Sequence, residues 1–159
     1  MDRNLIEQYA RGASQPAEAI AGLSRDQLNS FPVPGTWSIQ QIVMHLMDSD
    51  LIASDRMKRV AAEENPTIIG YDETAFASKL FYDQMDAAKA CEIFRLNREL
   101  TASLLRRLPD EAFDRAGTHN EAGRVTLAGL VQTYVNHLAH HLKFLYEKRR
   151  LLGSPLAGN

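Results

Sequence analysis

The sequence has little cysteine, little excess charge of either sign and no long apolar run. Cys91 is the only cysteine among 159 residues, so an internal disulfide is excluded. The formal net charge of -2 argues against a nucleic-acid partner, because phosphate binding needs a concentrated basic surface. No apolar segment approaches the roughly 20 residues that cross a bilayer, and the charged N-terminus is unlike a signal peptide. We therefore expect a cytoplasmic protein that binds neither nucleic acid nor membranes.

Signals for β-strands are also scarce, and helical periodicity dominates the chain. The length suits one domain, so residues 1–159 are expected to form a single all-α unit. Apolar residues recur at helical spacing in four segments, and Pro16 predicts a kink or break in the first. Four amphipathic helices favour a four-helix bundle. The segments span about residues 4–23, 38–63, 85–108 and 126–151.

Local patterns give further expectations for these segments. Ser38, with Gln41 three residues later, has the capping-box spacing that begins a helix. Residues 116–124 are polar and predict a loop, whereas residues 72–80 predict a short helix. Residues 148–150, Lys-Arg-Arg, lie in the last turn of the fourth helix, where cations suit the helix dipole. In the third segment, four residues are expected to face inward: Ile93, Leu96, Leu100 and Leu104.

Three histidines are the candidate metal ligands. His137 and His141 are four residues apart, so they share one face of the fourth helix, and that face is apolar. His45 borders the apolar face of the second helix, so it can also point into the bundle. Three neutral imidazoles with open coordination positions describe a catalytic metal site better than a structural one. The other interpretation is that these histidines are satisfied by neighbouring groups or half exposed, without a metal.

Three further residues are weaker candidates. Asp48 lies one turn from His45 and can hydrogen-bond its second nitrogen, although a solvated aspartate explains it equally well. Arg56 is placed to hold an anionic substrate or to form a surface ion pair. Tyr71 follows Gly70 and either lines a pocket mouth or stabilises the loop.

Several segments resemble the DinB/YfiT-like family of helical-bundle metalloproteins. Residues 31–50, FPVPGTWSIQQIVMHLMDSD, resemble its N-terminal signature, and residues 65–82 are similar to its linking segment, with Phe76 where a tryptophan is common. Residues 119–145 resemble its last helix with paired histidines. The resemblance implies up-down-down-up connectivity, a homodimer, and a zinc or nickel ion held by the three histidines.

The resemblance also implies a function class. Family members with an assigned activity are thiol S-transferases, which join a low-molecular-weight thiol to a small electrophile, or related isomerases. In that case the metal binds the thiol and lowers its pKa. Two alternatives stay open at this point: a metal-dependent hydrolase that uses an activated water, and a non-catalytic, stress-related module that binds metal or ligand. The sequence identifies no catalytic acid or base.

Overall fold

The computed structural model describes residues 3–156, which form mainly helices. The helices are α1 Asn4–Arg11, α2 Gln15–Ile20, α3 Arg25–Asn29, α4 Ile39–Ala62, α5 Glu73–Lys79, α6 Ala87–Arg107 and α7 Leu127–Leu151. The short strands are β1 Thr67–Ile68, β2 Ala116–His119 and β3 Gly123–Thr126, and a 3-10 helix spans Asp110–Asp114. Helices α1, α4, α6 and α7 form a four-helix bundle, as predicted. Within the described residues, none of these helices has the length and apolar character needed to span a membrane.

The helix ends follow the local patterns of the sequence. The hydroxyl of Ser38 accepts from the backbone N–H of Gln41, and the Gln41 side chain accepts from the backbone N–H of Ser38, which confirms the capping box. The predicted break in the first segment falls between α1 and α2, with Pro16 in the first turn of α2. At that break, a Cβ on Gly12 would lie 2.6 Å from Arg98 Nη1, so the close approach requires glycine.

Hydrogen bonds between α4 and α6 show that these two helices run parallel. Near the start of α4, the Gln40 side-chain amide donates to the carbonyl oxygens of Tyr82 and Met85, just before α6 begins. Midway along both helices, the Asn97 side chain of α6 donates to the Asp50 carboxylate of α4 at 2.7 Å. Equivalent ends of the two helices are therefore neighbours. The long connection from residue 63 to residue 86 returns the chain to the end where α4 began.

The other two helices run antiparallel to this pair. Arg3, just before α1, donates to the carbonyl oxygen of Leu108, just after α6. Arg56, late in α4, donates to the hydroxyl of Tyr134, early in α7. The connectivity is therefore up-down-down-up, as the family resemblance predicted.

A buried ion pair lies in the middle of the bundle. Arg98 of α6 donates from Nε to Asp50 Oδ1 of α4 at 2.8 Å, and both side chains are at most 2% exposed. Its other nitrogens donate to the main-chain carbonyl oxygens of Tyr9 in α1 and Tyr134 in α7, at 3.2 and 2.8 Å. One guanidinium therefore contacts all three other helices, and its planar fork of donors fixes their relative positions.

Two apolar clusters flank this polar layer along the bundle. One contains residues from the first half of α4, such as Leu46, and from the second half of α7, such as Leu142. The other contains residues from the second half of α4, such as Met57, together with α1 and the first half of α7. The polar layer thus lies where the two halves of the core meet.

The predicted inward face of α6 is wrong for three of its four residues. Ile93, Leu96 and Leu100 are 44%, 45% and 72% exposed, and Leu104 alone is partly buried against the core. The reason is Arg98, because a pattern based on apolar residues turns an arginine toward solvent, whereas here its partners hold it inside. The buried residues of α6 are Ala87, Ala90, Cys91, Phe94, Arg98, Thr101, Ala102 and Leu105.

The loop predicted for residues 116–124 is instead a β-hairpin. Strands β2 and β3 pair antiparallel, and β1 adds parallel to β2 with Thr67 opposite Thr118. The strands are too short to show an alternating pattern, and they carry glycines at positions that need them. Gly123 has a φ of +71° in the turn, and a Cβ on Gly117 would lie 2.7 Å from the Pro66 carbonyl oxygen. The all-α class is confirmed because this sheet is minor.

We predict that the substitution Arg98→Met lowers the free energy of unfolding by about 3–5 kcal/mol, because it leaves the Asp50 carboxylate buried without its cation. Urea denaturation followed by circular dichroism measures the change. The matched control is Arg95→Met, since Arg95 lies on the same helix and pairs with carboxylates at the surface. A similar loss of stability in both variants would contradict a central role for Arg98.

Candidate metal centre

Three imidazoles converge between α4 and α7. His45 Nε2 and His137 Nε2 are 3.0 Å apart, and the closest set of ring nitrogens from His45, His137 and His141 lies within 4.8 Å of one another. His45 is 1% exposed, and the other two are half-buried. The structure therefore brings together the three histidines that the sequence singled out as candidate ligands. Among residues 3–156 they form the one cluster of three or more such side chains with metal-binding spacing.

The helices position these side chains directly. His137 and His141 are one turn apart in α7, with ring centroids separated by 4.5 Å, and both rings face α4. His45 lies five residues before Asp50 in α4, and His137 lies three residues after Tyr134 in α7. Because Arg98 binds both Asp50 and the Tyr134 carbonyl, the ion pair sets the height at which the two helices present their histidines.

Burial keeps the three imidazoles neutral at pH 7. Loss of solvation lowers the pKa of His45 and His141 to about 4, and that of His137 to about 3, with a smaller decrease from neighbouring histidines. A neutral imidazole has a lone pair to offer, so protons do not compete with a metal ion near neutral pH. Two nitrogens that bind one tetrahedral ion at 2.0–2.1 Å lie about 3.3 Å apart, close to the 3.0 Å between His45 Nε2 and His137 Nε2. The donor set therefore fits a divalent metal ion.

Tyr71 lies beside His45, whereas the carboxylate of Asp48 contacts a different residue. The Tyr71 hydroxyl lies 3.4 Å from His45 Nδ1, so it can accept from Nδ1–H in the tautomer that leaves Nε2 free. For Asp48 the sequence left open a hydrogen bond to His45 or a solvated aspartate; in the structure its carboxylate accepts from the Tyr82 hydroxyl. Asp48 therefore contacts the segment after α5.

Arg56 reaches the site through an intermediate residue. Its Nη1 donates to the Tyr134 hydroxyl at 2.9 Å and its Nη2 donates to the Ile69 carbonyl oxygen at 2.7 Å. The Tyr134 ring lies edge-on to His137, with centroids 5.9 Å apart. Within the described residues Arg56 makes no ion pair, so the alternative of a surface salt bridge is not observed. It holds Tyr134 against the metal site.

Glu73 is a site residue that the sequence interpretation missed. It is the first residue of α5, and its Oε2 lies 3.6 Å from His45 Nε2, the atom that faces the other histidines. The contact is not an ion pair at pH 7, because His45 is neutral there. Its carboxylate is 56% exposed and can therefore turn toward a ligand at the site. The sequence feature that indicates Glu73 is the helix cap at Asp72. This cap begins α5 at Glu73 and places the start of the helix near the histidines.

Trp37 forms a wall of the site. Its ring lies 4.9 Å from the His45 ring and stacks over His141 at 6.4 Å with an angle of 8° between planes. The capping box at Ser38 fixes the chain that carries this ring. The indole shields one side of the imidazoles from water and leaves an apolar cavity beside His141.

Known proteins similar to this chain indicate its family. A family model described as the DinB superfamily matches residues 8–145. The chain is 32% identical over 123 residues to a provisionally named metal-dependent hydrolase of Oceanobacillus iheyensis, which covers 77% of this chain and 71% of that protein. It is 29% identical over 137 residues to YfiT of Bacillus subtilis, provisionally named a metal-dependent hydrolase, with 86% and 77% covered.

Solved structures show the same fold. The structure of YfiT from Bacillus subtilis, described as a four-helix bundle of unusual topology, is similar with a TM-score of 0.89 at 27% identity, covering 94% of this chain and 86% of that one. A mycothiol-dependent maleylpyruvate isomerase is similar with a TM-score of 0.70 at 10% identity, covering 89% of this chain and 59% of that one. At 10% identity this second likeness concerns the fold alone.

We predict that the metal-free protein is sensitive to mild acid. In the unfolded chain the histidines bind protons below about pH 6.5, whereas in the folded protein they do so only near pH 4 or 3. The unfolded state therefore binds more protons between these values, and stability falls as the pH decreases from about 6.5 toward 4. Urea midpoints of the metal-free protein at pH 7 and pH 5 measure the loss. In His137→Gln the loss becomes smaller, and an unchanged loss would contradict this assignment.

Proposed function

The chain belongs to the DinB superfamily, and from that premise we propose that it is a metal-dependent enzyme that activates a low-molecular-weight thiol for attack on a small electrophile. The observation that carries the proposal is the donor set: three neutral ring nitrogens converge beside an apolar cavity, and among the described residues no fourth side chain joins their cluster. A structural metal site would instead use four protein ligands. The open side supports binding of a reactant.

The protein residues have separate roles in this proposal. His45, His137 and His141 hold the divalent ion, which, when bound, supplies the positive charge that lowers the pKa of a thiol or water. Tyr71 holds the ring of His45 in the tautomer that leaves Nε2 free. Trp37 excludes water from the side next to His141, which favours a thiol and an apolar electrophile over bulk solvent.

Glu73 is the residue we assign to proton transfer. Its carboxylate is close to the metal-facing nitrogen of His45, half exposed, and without a cationic partner among the described residues. A thiol that becomes a thiolate at this site must lose a proton, and Glu73 is placed to accept it and pass it to solvent. A carboxylate that accepts a proton in this way contributes about 10²-fold or more to rate.

Hydrolysis is the second candidate, and Glu73 also favours it. The same carboxylate can accept a proton from a water molecule, and the similar proteins of Oceanobacillus iheyensis and Bacillus subtilis are provisionally named metal-dependent hydrolases. The apolar lining of the cavity supports thiol transfer as the first choice, because a site for water needs polar partners for that water. The homodimer and the cytoplasmic location expected from the sequence remain predictions.

We predict that protein loaded with zinc or nickel conjugates small thiols to monochlorobimane faster than the uncatalysed reaction, followed by the fluorescence of the thioether. The substitution Glu73→Gln lowers kcat by about 10²-fold because the proton acceptor is lost, while bound metal measured by elemental analysis stays the same. A p-nitrophenyl ester assayed in parallel tests hydrolysis.

The outcomes separate the function classes. The control Glu92→Gln changes a carboxylate on the outer surface of α6 and leaves kcat unchanged. Ester cleavage without thiol conjugation would replace the first candidate by the second. One bound metal ion per chain with turnover of neither substrate class would contradict both and leave a non-catalytic binding module.

A further inference from the structure

An apolar cavity of about 270 Å³ lies against the metal centre. The segment before α4 forms one wall, with Val33 and Trp37, and α7 forms the opposite wall, with His141 and Phe144. Because His141 lines the cavity and is also a candidate metal ligand, a molecule in the cavity lies next to the metal site. A larger groove of about 490 Å³, lined by residues such as Cys91, has no histidine in its walls.

Lys148 also lines this cavity, two turns along α7 from His141. It lies in the last turn of α7, as the helix-dipole interpretation expects, but it is only 3% exposed. The next residue, Arg149, is also buried, but its guanidinium is satisfied by the carbonyl oxygens of Ala19, Ala21 and Ser154. Within residues 3–156, Lys148 has no comparable set of acceptors.

Among the described residues the ammonium group of Lys148 has one hydrogen-bond partner, which is neutral, and the negative charge of Glu147 also acts on it. The ammonium group donates to the Thr36 hydroxyl, which itself donates to the Val33 carbonyl oxygen at 2.9 Å. Among residues 3–156 no carboxylate lies within ion-pair distance of it, and the neighbouring Glu147, which also lines the cavity, is exposed. Burial lowers the pKa of Lys148. An ammonium group carries three donors, so two remain for a ligand.

Lys148 and His141 lie on the same side of the cavity, at a distance that a small ligand can span. Lys148 and His141 are seven residues apart in α7, so they lie on the same face of the helix, and two turns separate them by about 10 Å. Between them the walls are aromatic and aliphatic. A ligand that spans the cavity therefore meets a cation at one end, apolar surface along its length and the metal centre at the other end.

From this arrangement we propose that the cavity is the substrate-binding pocket and that it selects organic anions with an apolar body, whose carboxylate binds Lys148. The proposal rests on the proposed function for the identity of the reacting end, which lies beside His141. Lys148 is a specificity-determining residue in this proposal and takes no part in the chemistry. A fully buried, charge-assisted hydrogen bond to a carboxylate is stronger than one to a neutral hydroxyl, so an anionic ligand is preferred to its uncharged analogue.

Trp37 makes the binding directly measurable, because it is the only tryptophan and lines the cavity. Titration of the metal-free full chain with octanoate, followed by Trp37 fluorescence, is compared with titration by octanol. We expect octanoate to bind at least about 10-fold more tightly than octanol, the factor that one additional charge-assisted hydrogen bond supplies. In Lys148→Met the preference disappears, whereas Lys148→Arg retains it.

The matched control is Lys143→Met, since Lys143 is an exposed lysine on the same helix, and it keeps the preference. Thermal denaturation shows whether Lys148→Met is folded, and Lys148→Arg tests the charge if it is not. Equal affinity for octanoate and octanol, or a preference that survives in Lys148→Met, would overturn the proposal. The titration uses metal-free protein, so it does not depend on turnover. A protein without thiol or ester turnover can still prefer octanoate, and an active enzyme can lack that preference. The two proposals therefore fail independently.

Discussion

The contact of one guanidinium with three other helices is the constraint on which the rest of this structure depends. Arg98 binds the Asp50 carboxylate on α4 and main-chain carbonyl oxygens on α1 and α7. Hydrophobic packing alone tolerates small shifts of one helix along another, whereas these hydrogen bonds hold only at one register. His45 and His137 lie within two turns of the residues that Arg98 contacts, so the register of the ion pair is also the register of the metal centre.

The buried environment of the three histidines is unfavourable for their charged forms, and this effect suits metal binding. Burial disfavours the charged form of each of the three histidines, so all are held neutral near pH 7. Each neutral imidazole keeps a ring nitrogen with a lone pair, so the three together are good ligands for one divalent ion. Binding of that ion offsets the cost of burying them, and it couples metal affinity to folding stability.

The sequence predicted the features that depend on local spacing. The capping box at Ser38, the break near Pro16 and the shared face of His137 and His141 each follow from residues within one turn of one another. Features that depend on long-range partners were missed. A hydrophobicity pattern places both cations, Arg98 and Lys148, in solvent. Arg98 is buried because its acceptors lie on other helices, and Lys148 is buried beside a cavity. Glu73 belongs to the same class, since its distance from His45 is set by the long connection between α4 and α6.

The metal content of the purified protein tests the central claim most directly. Elemental analysis of the wild-type chain, after reconstitution with zinc or nickel and removal of excess ion, should give about one ion per chain. The double variant His137→Ala/His141→Ala should give none, whereas His140→Ala, which removes an exposed histidine between them, should give the wild-type content. Absence of bound metal in the wild-type chain, or equal binding in the double variant, would contradict the three-histidine centre.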